Sequence, residues 1–314
     1  MNDTKRITEG ALMTGVYLLL LLVIIFTPSI IGSILILALP VPFIFYSYRY
    51  SWKSGALMLV AALIFTLIFA TVFSLPATLF AGLGGIFLGG ALYQKRTAYE
   101  TWAVGTVGFS IGFLSIYLST QLFFGINWSD EIRNSLNSAL NVTESMFGGL
   151  LTSENQEQLD AFRESLSMLP DLIPSALVLV GIMTAFVAQW LSYKVINRIE
   201  RNGLRFPPFR ELKWPTSILW YYFIALILSY VVTDENGVLY LAVVNIFVLT
   251  GFLLVLQGFS FIFYYAEQKK WSKAIPAVIV VVSLLLPQLL LYLVRILGII
   301  DLGFSLRERI ERKK

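Results

Sequence analysis

About nine long apolar runs follow one another along this chain, separated by short charged connections, and that pattern leaves few folds open. Each run approaches the ~20 residues a helix needs to cross a bilayer core. In that layer the backbone must satisfy its own hydrogen bonds, and continuous apolar runs select helices over a barrel. The hydrophobic fraction is 57%, charged residues are 13% and mean hydropathy is +0.77. A soluble domain of 314 residues does not bury that much apolar side chain. Trp52, Trp102, Trp128, Trp190, Trp214 and Trp271 fall at the borders of the runs, where an indole ring sits in lipid while its N–H reaches water. The sequence therefore predicts an all-α polytopic membrane protein with about nine (eight to nine) transmembrane helices and a helical extracytoplasmic insert.

The candidate spans are about 10–26, 30–47, 54–74, 77–94, 101–125, 172–193, 215–233, 237–266 and 274–300. The first two read as short helices in a tight hairpin around Pro28, packed against protein or in thinned lipid. Basic residues fall on alternate connections: Lys5 and Arg6, Arg49 and Lys53, Lys95 and Arg96, the cluster Lys194–Lys213, and Lys269–Lys273. The opposite connections are Thr27–Ser29, Ser74–Pro76, the long segment 126–171 and Asp234–Asn236. Segment 126–171 carries eight acids against Arg133 and Arg163. The positive-inside rule then predicts a cytoplasmic N-terminus in a bacterial plasma membrane, with segment 126–171 outside. Organisation follows as an N-terminal membrane bundle (1–125), an extracytoplasmic amphipathic segment (126–171), C-terminal membrane helices (172–300) and a basic tail (301–314). An odd number of spans leaves that tail, with Arg307, Arg309 and Arg312, on the acidic side. Either the last run crosses, or it bends at Pro287 and returns, or an earlier run does not cross. The expectation carried forward is a ninth helix kinked near Pro287, where the missing N–H removes a helical hydrogen bond.

Within 126–171, Asp130 and Glu131 suit a helix start. Ile132, Leu136 and Leu140 then share a face. After Gly148-Gly149, Ser153-x-x-Gln156 reads as a capping box, and Leu159, Phe162, Leu166 and Leu169 line a second helix that Pro170 and Pro174 close. The pair forms an amphipathic hairpin that caps the span ends or serves as a lid or docking surface.

Chemistry-bearing patterns are few. Histidine and cysteine are both absent, which removes the usual general base, thiol nucleophiles and Cys/His metal sites. No nucleotide-binding motif stands out, so no enzyme, cofactor or metal is expected. Gly85 and Gly89, with Ala81 before them, form a small-residue seam that lets helices approach closely. Gly105, Gly108 and Gly112 form a second seam that could receive it. Ala11 and Gly15 repeat the spacing on the first span, for packing or for docking a partner. Arg295 is charged and well inside a span, at a cost of about 2.5–3.5 kcal/mol on insertion scales. It either snorkels past Ile300 or serves a site. Gln257, Asn245 and Gln189 are intramembrane polar candidates that bond a neighbouring helix or line a cavity. Between residues 194 and 214, Pro207-Pro208 flanked by Phe206 and Phe209 makes a rigid elbow within a basic stretch.

Three stretches resemble the YybS family of bacterial membrane proteins: Ala11–Pro42 leading into Tyr48–Gly55, the elbow Arg201–Pro215, and Gly298–Asp301 leading to Leu306-Arg307. That resemblance runs over essentially the whole chain and implies a membrane location rather than a chemistry. The layout of residues 8–125 is also similar to substrate-binding S components of energy-coupling-factor transporters: a first hairpin, a second span ending at Leu39-Pro40, and a Gly-rich fourth span ending in basic residues. In that group a small-xxx-small motif docks the coupling subunit, and Ala11 and Gly15 match its spacing. Three further helices and the 126–171 insert depart from it, and no ligand-binding residue carries over. Two functions follow as expectations: an S-component-like, small-molecule-binding transporter subunit, or a scaffold or regulator of envelope processes. The expected partners are membrane lipid, another membrane subunit or a small-molecule ligand, with no nucleic acid.

Overall fold

A computed structural model describes residues 3–27, 29–147, 163, 166–232, 234 and 237–312. Every regular element among them is helical. Eight helical stretches among the described residues are long and apolar enough to cross a membrane, the second of them, Ile30–Tyr50, in two pieces, and Ser217–Val231 and Ala274–Leu285 are shorter apolar helices. The chain is an all-α, multi-pass membrane protein. It divides into two compact units, Met1–Phe206 and Pro207–Lys314.

Unit 1 contains α1 (Asp3–Phe26), α2 (Ser29–Leu35), α3 (Val41–Tyr50), α4 (Trp52–Phe69), α5 (Leu75–Tyr93), α6 (Ala98–Phe124), α7 (Trp128–Phe147) and α8 (Ile173–Glu200). Its centre is α5, which is apolar on every side, as a helix enclosed by neighbours must be. Gly82 of α5 faces Leu59 of α4, and Gly84 receives the ring of Phe109 from α6. Gly85 lies on Phe43 and the Pro40 carbonyl, and Gly89 on the Ile44 carbonyl and Ser47. A side chain at either position would meet α3 backbone, so the absence of Cβ sets this helix spacing. The stretch Gly82–Gly90 packs against the second seam, but glycine does not meet glycine. Gly105, Gly108 and Gly112 instead take Leu88, Phe87 and Phe80 of α5, because packing fills a groove with a ridge rather than with a second groove.

The termini obey local rules. Thr97 and Glu100 form a reciprocal capping box that starts α6, and Gly125 in the left-handed region (φ 65°) ends it, a conformation glycine adopts without steric cost. α1 is 24 residues long, not the short helix expected, since its charged first turns continue the helix beyond the apolar run. The second run is not one helix either. Its helix stops at Leu35, a 3₁₀ turn covers Ile36–Ala38, and α3 begins at Val41. Pro40 and Pro42 lack the N–H that would continue it, yet fit a helix start. Pro28 lies outside the described residues. In α7, Ile132 and Leu136 are half-buried and Leu140 is buried, so the predicted face turns inward. Gly148, Gly149, Ser153, Gln156, Leu159 and Phe162 lie outside the described residues.

Unit 2 contains α9 (Ser217–Val231), α10 (Val238–Gln268), α11 (Ala274–Leu285), α12 (Pro287–Phe304) and α13 (Leu306–Glu311). The expected ninth helix over 274–300 is corrected here. Leu286 (φ −122°, ψ 62°) leaves the helical region, as the residue before proline prefers. The chain then turns back. Lys213 pairs with Glu308 at 3.1 Å, and the Tyr264 hydroxyl donates to Glu311 at 3.0 Å. The tail of unit 2 therefore lies at the same end as its basic connections 207–214 and 269–273. The charge rule and the fold agree once the last run bends at Pro287 and returns.

Candidate functional site

At one end of unit 1, α1, α3, α8 and the α5–α6 connection bring together residues as distant in sequence as Glu9 and Arg205. Arg49 donates through Nη1 to Glu9 (2.8 Å) and lies 3.4 Å from Glu200 through Nε. The Tyr48 hydroxyl donates to Glu200 at 3.0 Å and accepts from the Asn202 amide at 2.6 Å. Asn197 fixes the following turn from both sides: its amide donates to the Leu204 carbonyl, and its own oxygen accepts from the Leu204 N–H. Tyr48, Arg49, Glu200 and Asn202 line a cavity of about 760 Å³ together with Tyr93, Lys95, Arg96, Tyr193 and Arg205. Arg49 is engaged by Glu9 and Glu200, which leaves Lys95, Arg96 and Arg205 as the further cations of the lining. Lys95, Arg96 and Arg205 are exposed. The surplus of positive charge favours an anion, and the tyrosines add flat apolar walls.

Unit 2 holds a different arrangement, closed to solvent. Asp301 is 2% exposed. It accepts from the Arg307 Nε at 3.0 Å and from the Gln257 amide at 2.5 Å. Gln257, itself 0% exposed, turns its oxygen to the Trp214 backbone N–H at 3.0 Å. Arg307 donates also to the Arg210 carbonyl (2.7 Å) and to Ser260 Oγ (3.1 Å), whose own proton is shared by the Phe209 and Leu212 carbonyls. Arg210 further pairs with Glu267. The network satisfies backbone groups of residues 209–214 beyond the short 3₁₀ turn Phe209–Glu211, and ties the stretch to α10 and the tail. Its buried part, Asp301, Gln257, Ser260 and Arg307, is a structural lock, while Phe209, Arg210 and Glu267 at its edge line a separate pocket of about 500 Å³.

Arg295 does not reach the membrane border. It is the ninth of the 18 residues of α12, and its guanidinium lies against Gly251, inside the 31-residue α10. The rings of Tyr222 and Phe247 lie 6.0 Å and 5.9 Å from its Cζ. Its Nε is buried without a hydrogen-bond partner. A partial cation–π attraction is what it receives.

The remaining candidates separate cleanly. Gln189 donates to the Ala98 carbonyl (2.9 Å) and to the Tyr193 hydroxyl (2.7 Å), joining α8 to α6. Asn245 donates to Leu241 in its own helix at 2.7 Å. Gly85 and Gly89 are buried packing positions. Ala11 is exposed, and open space surrounds the missing Cβ of Gly15. No sequence signal links Tyr48, Arg49, Glu200 and Asn202, because the fold alone brings them together. Asp301 and Arg307 did carry one, an acid at a span end with a base six residues on.

These features define a multi-pass helical membrane protein with a basic cavity at one end of its first unit and a sealed ionic lock in its second. The chain belongs to the family described as "Predicted membrane protein (DUF2232)", which matches residues 15–302. It is similar to "Uncharacterized protein YybS" of Bacillus subtilis (strain 168), at 28% identity over 312 residues, covering 99% of this chain and 100% of that protein. No solved structure matches the chain.

Proposed function

We propose that the chain is a membrane-embedded binding subunit that holds an anionic small molecule, phosphate- or carboxylate-bearing, at the basic end of unit 1 and works with a partner subunit, without bond-making chemistry of its own. The observation that carries this reading is the cavity in which Lys95, Arg96 and Arg205 stand beside an Arg49 already paired with Glu9 and Glu200. The positive-inside rule puts that end, and the N-terminus, in the cytoplasm. A partner fits α1, where Ala11 and Gly15 leave an uncovered small-residue face. Such a face serves the S-component-like reading. The position of the cavity favours the second one, a scaffold or regulator that senses a cytoplasmic anion. A capture subunit for an external solute would open at the opposite end.

The test is thermal stabilisation of the detergent-purified protein by inorganic phosphate, pyrophosphate and a nucleoside triphosphate. The wild type should gain stability with at least one of them. The double variant Lys95→Glu/Arg205→Glu should weaken binding roughly tenfold or more, about 1.4 kcal/mol or greater, with the basal melting temperature unchanged. Equal stabilisation of both proteins, or none of the wild type by any anion, overturns the reading. In intact cells Asn202→Cys should be shielded from an impermeant thiol reagent and Ser138→Cys labelled; the reverse would invert the orientation.

A further inference from the structure

Arg295 stands in unit 2 with a full charge and no acid to answer it. Among the described residues no carboxylate pairs with it, and its Nε has no hydrogen-bond partner. The one acid nearby in α12, Asp301, is engaged by Arg307 and Gln257. Snorkelling does not relieve Arg295, because it sits half-way along α12 with Gly251 of α10 beside it. It lies over Tyr222 of α9 and Phe247 of α10. Below it, Leu302 packs with Ile218, Leu219 and Tyr222. Above it, Tyr292 and Leu289 are exposed, at 59% and 67%. The missing side chain at Gly251 makes room for the guanidinium while the aromatic pair Tyr222–Phe247, stacked at 5.1 Å, floors the cleft. Mid-membrane cations persist where they face a counter-charge.

We propose that the α9–α12 cleft around Arg295 docks a transmembrane helix of a different protein, one that carries an aspartate or glutamate near its middle. A lipid headgroup would have to leave the interface by about half the length of α12, roughly 13 Å, to meet the guanidinium. A second copy of this chain cannot supply the acid: Asp301 is spent, and Glu9, Glu100, Glu200 and Glu267 lie within the terminal turns of their helices or close to them. What remains is a helix with an acid at matching depth and an apolar surround to lie against Leu289 and Tyr292. The proposal is independent of the basic cavity of unit 1, which can bind its anion with or without Arg295.

A photo-crosslinking amino acid at position 292, in native membranes, tests it. The expected adduct is with a membrane protein that has an Asp or Glu at mid-span. It should fall at least tenfold with Arg295→Leu and with Arg295→Gln, and return when Arg295→Glu is combined with exchange of the partner's acid for arginine. Arg295→Leu should also leave the detergent melting temperature at or above wild type, since it removes a half-buried charge whose Nε has no hydrogen-bond partner. Adducts with lipid or with a second copy only, an adduct indifferent to Arg295, failure of the charge exchange to restore it, or a lowered melting temperature in both Arg295 variants would each overturn the proposal.

Discussion

The two units solve the same physical problem in opposite ways. Lipid tails give helices no hydrophobic reason to associate, so packing or polar bonds must do it. Unit 1 brings backbones close. Gly82, Gly84, Gly85 and Gly89 place α5 against three neighbours, and charge is kept to the helix ends. Its interior bonds are between neutral groups, such as Tyr17 to Thr78 (2.7 Å) with Thr66 beside it and the Gln189 amide to the Ala98 carbonyl (2.9 Å). Unit 2 has close contacts too, at Gly258 and Gly298, but its elbow and tail are held by a buried carboxylate and guanidinium. Backbone contact tolerates no added atoms, whereas a buried ion pair tolerates no lost partner.

The largest effect should therefore come from splitting the pair in unit 2. Arg307→Ala leaves Asp301 charged and buried, and should cost about 3–5 kcal/mol, read as a large drop in detergent melting temperature. The double variant Asp301→Leu/Arg307→Met should cost less than the two single changes added together, since no unpaired charge remains. A strictly additive result would show that the pair is not coupled. Next comes unit 1: Gly89→Leu or Gly85→Leu drives a side chain into α3 backbone and should cost about 1–3 kcal/mol or more, while Gly203→Leu, with open space around it, should change little. Equal tolerance at all three would remove close backbone approach as the basis of unit 1. The smallest effect belongs to the outer face of α1. Ala11→Leu/Gly15→Leu should leave the melting temperature within about 0.5 kcal/mol of wild type by the usual range for uncovered positions, yet abolish co-purification of any partner helix docked there. Misfolding of this double variant would place the pair inside the protein.

Most of the helical architecture was legible because apolar run length and alternate-loop charge are one-dimensional signals. The spacing of Gly85 and Gly89 marks a small-residue face, but not that α3 lies on it, since the sequence does not say which groove a seam enters. Pro40 and Pro42 broke a run that hydropathy read as continuous, and Pro287 turned a kink into a reversal. Both errors have one cause: hydropathy averages over the missing N–H of proline. The cavity at Arg49 and Glu200 was illegible for a different reason. Its members come from four separate elements, and each looks alone like an ordinary cytoplasmic charge.

The reversal at Pro287 also bears on how the chain enters the bilayer. α11 has 12 residues, about 18 Å of helix against a core of ~30 Å. The residues around its tip, Leu284, Leu285, Leu286 and Leu289, are exposed and wholly apolar. Across the turn Leu286 N–H bonds Val282 and Leu290 N–H bonds Leu286, and Pro287 has no N–H to strand in oil. No charged loop then has to be carried through the membrane after α10. The last stretch of the chain can enter as a folded wedge from the side on which it was made, so its insertion is a partitioning step rather than a translocation.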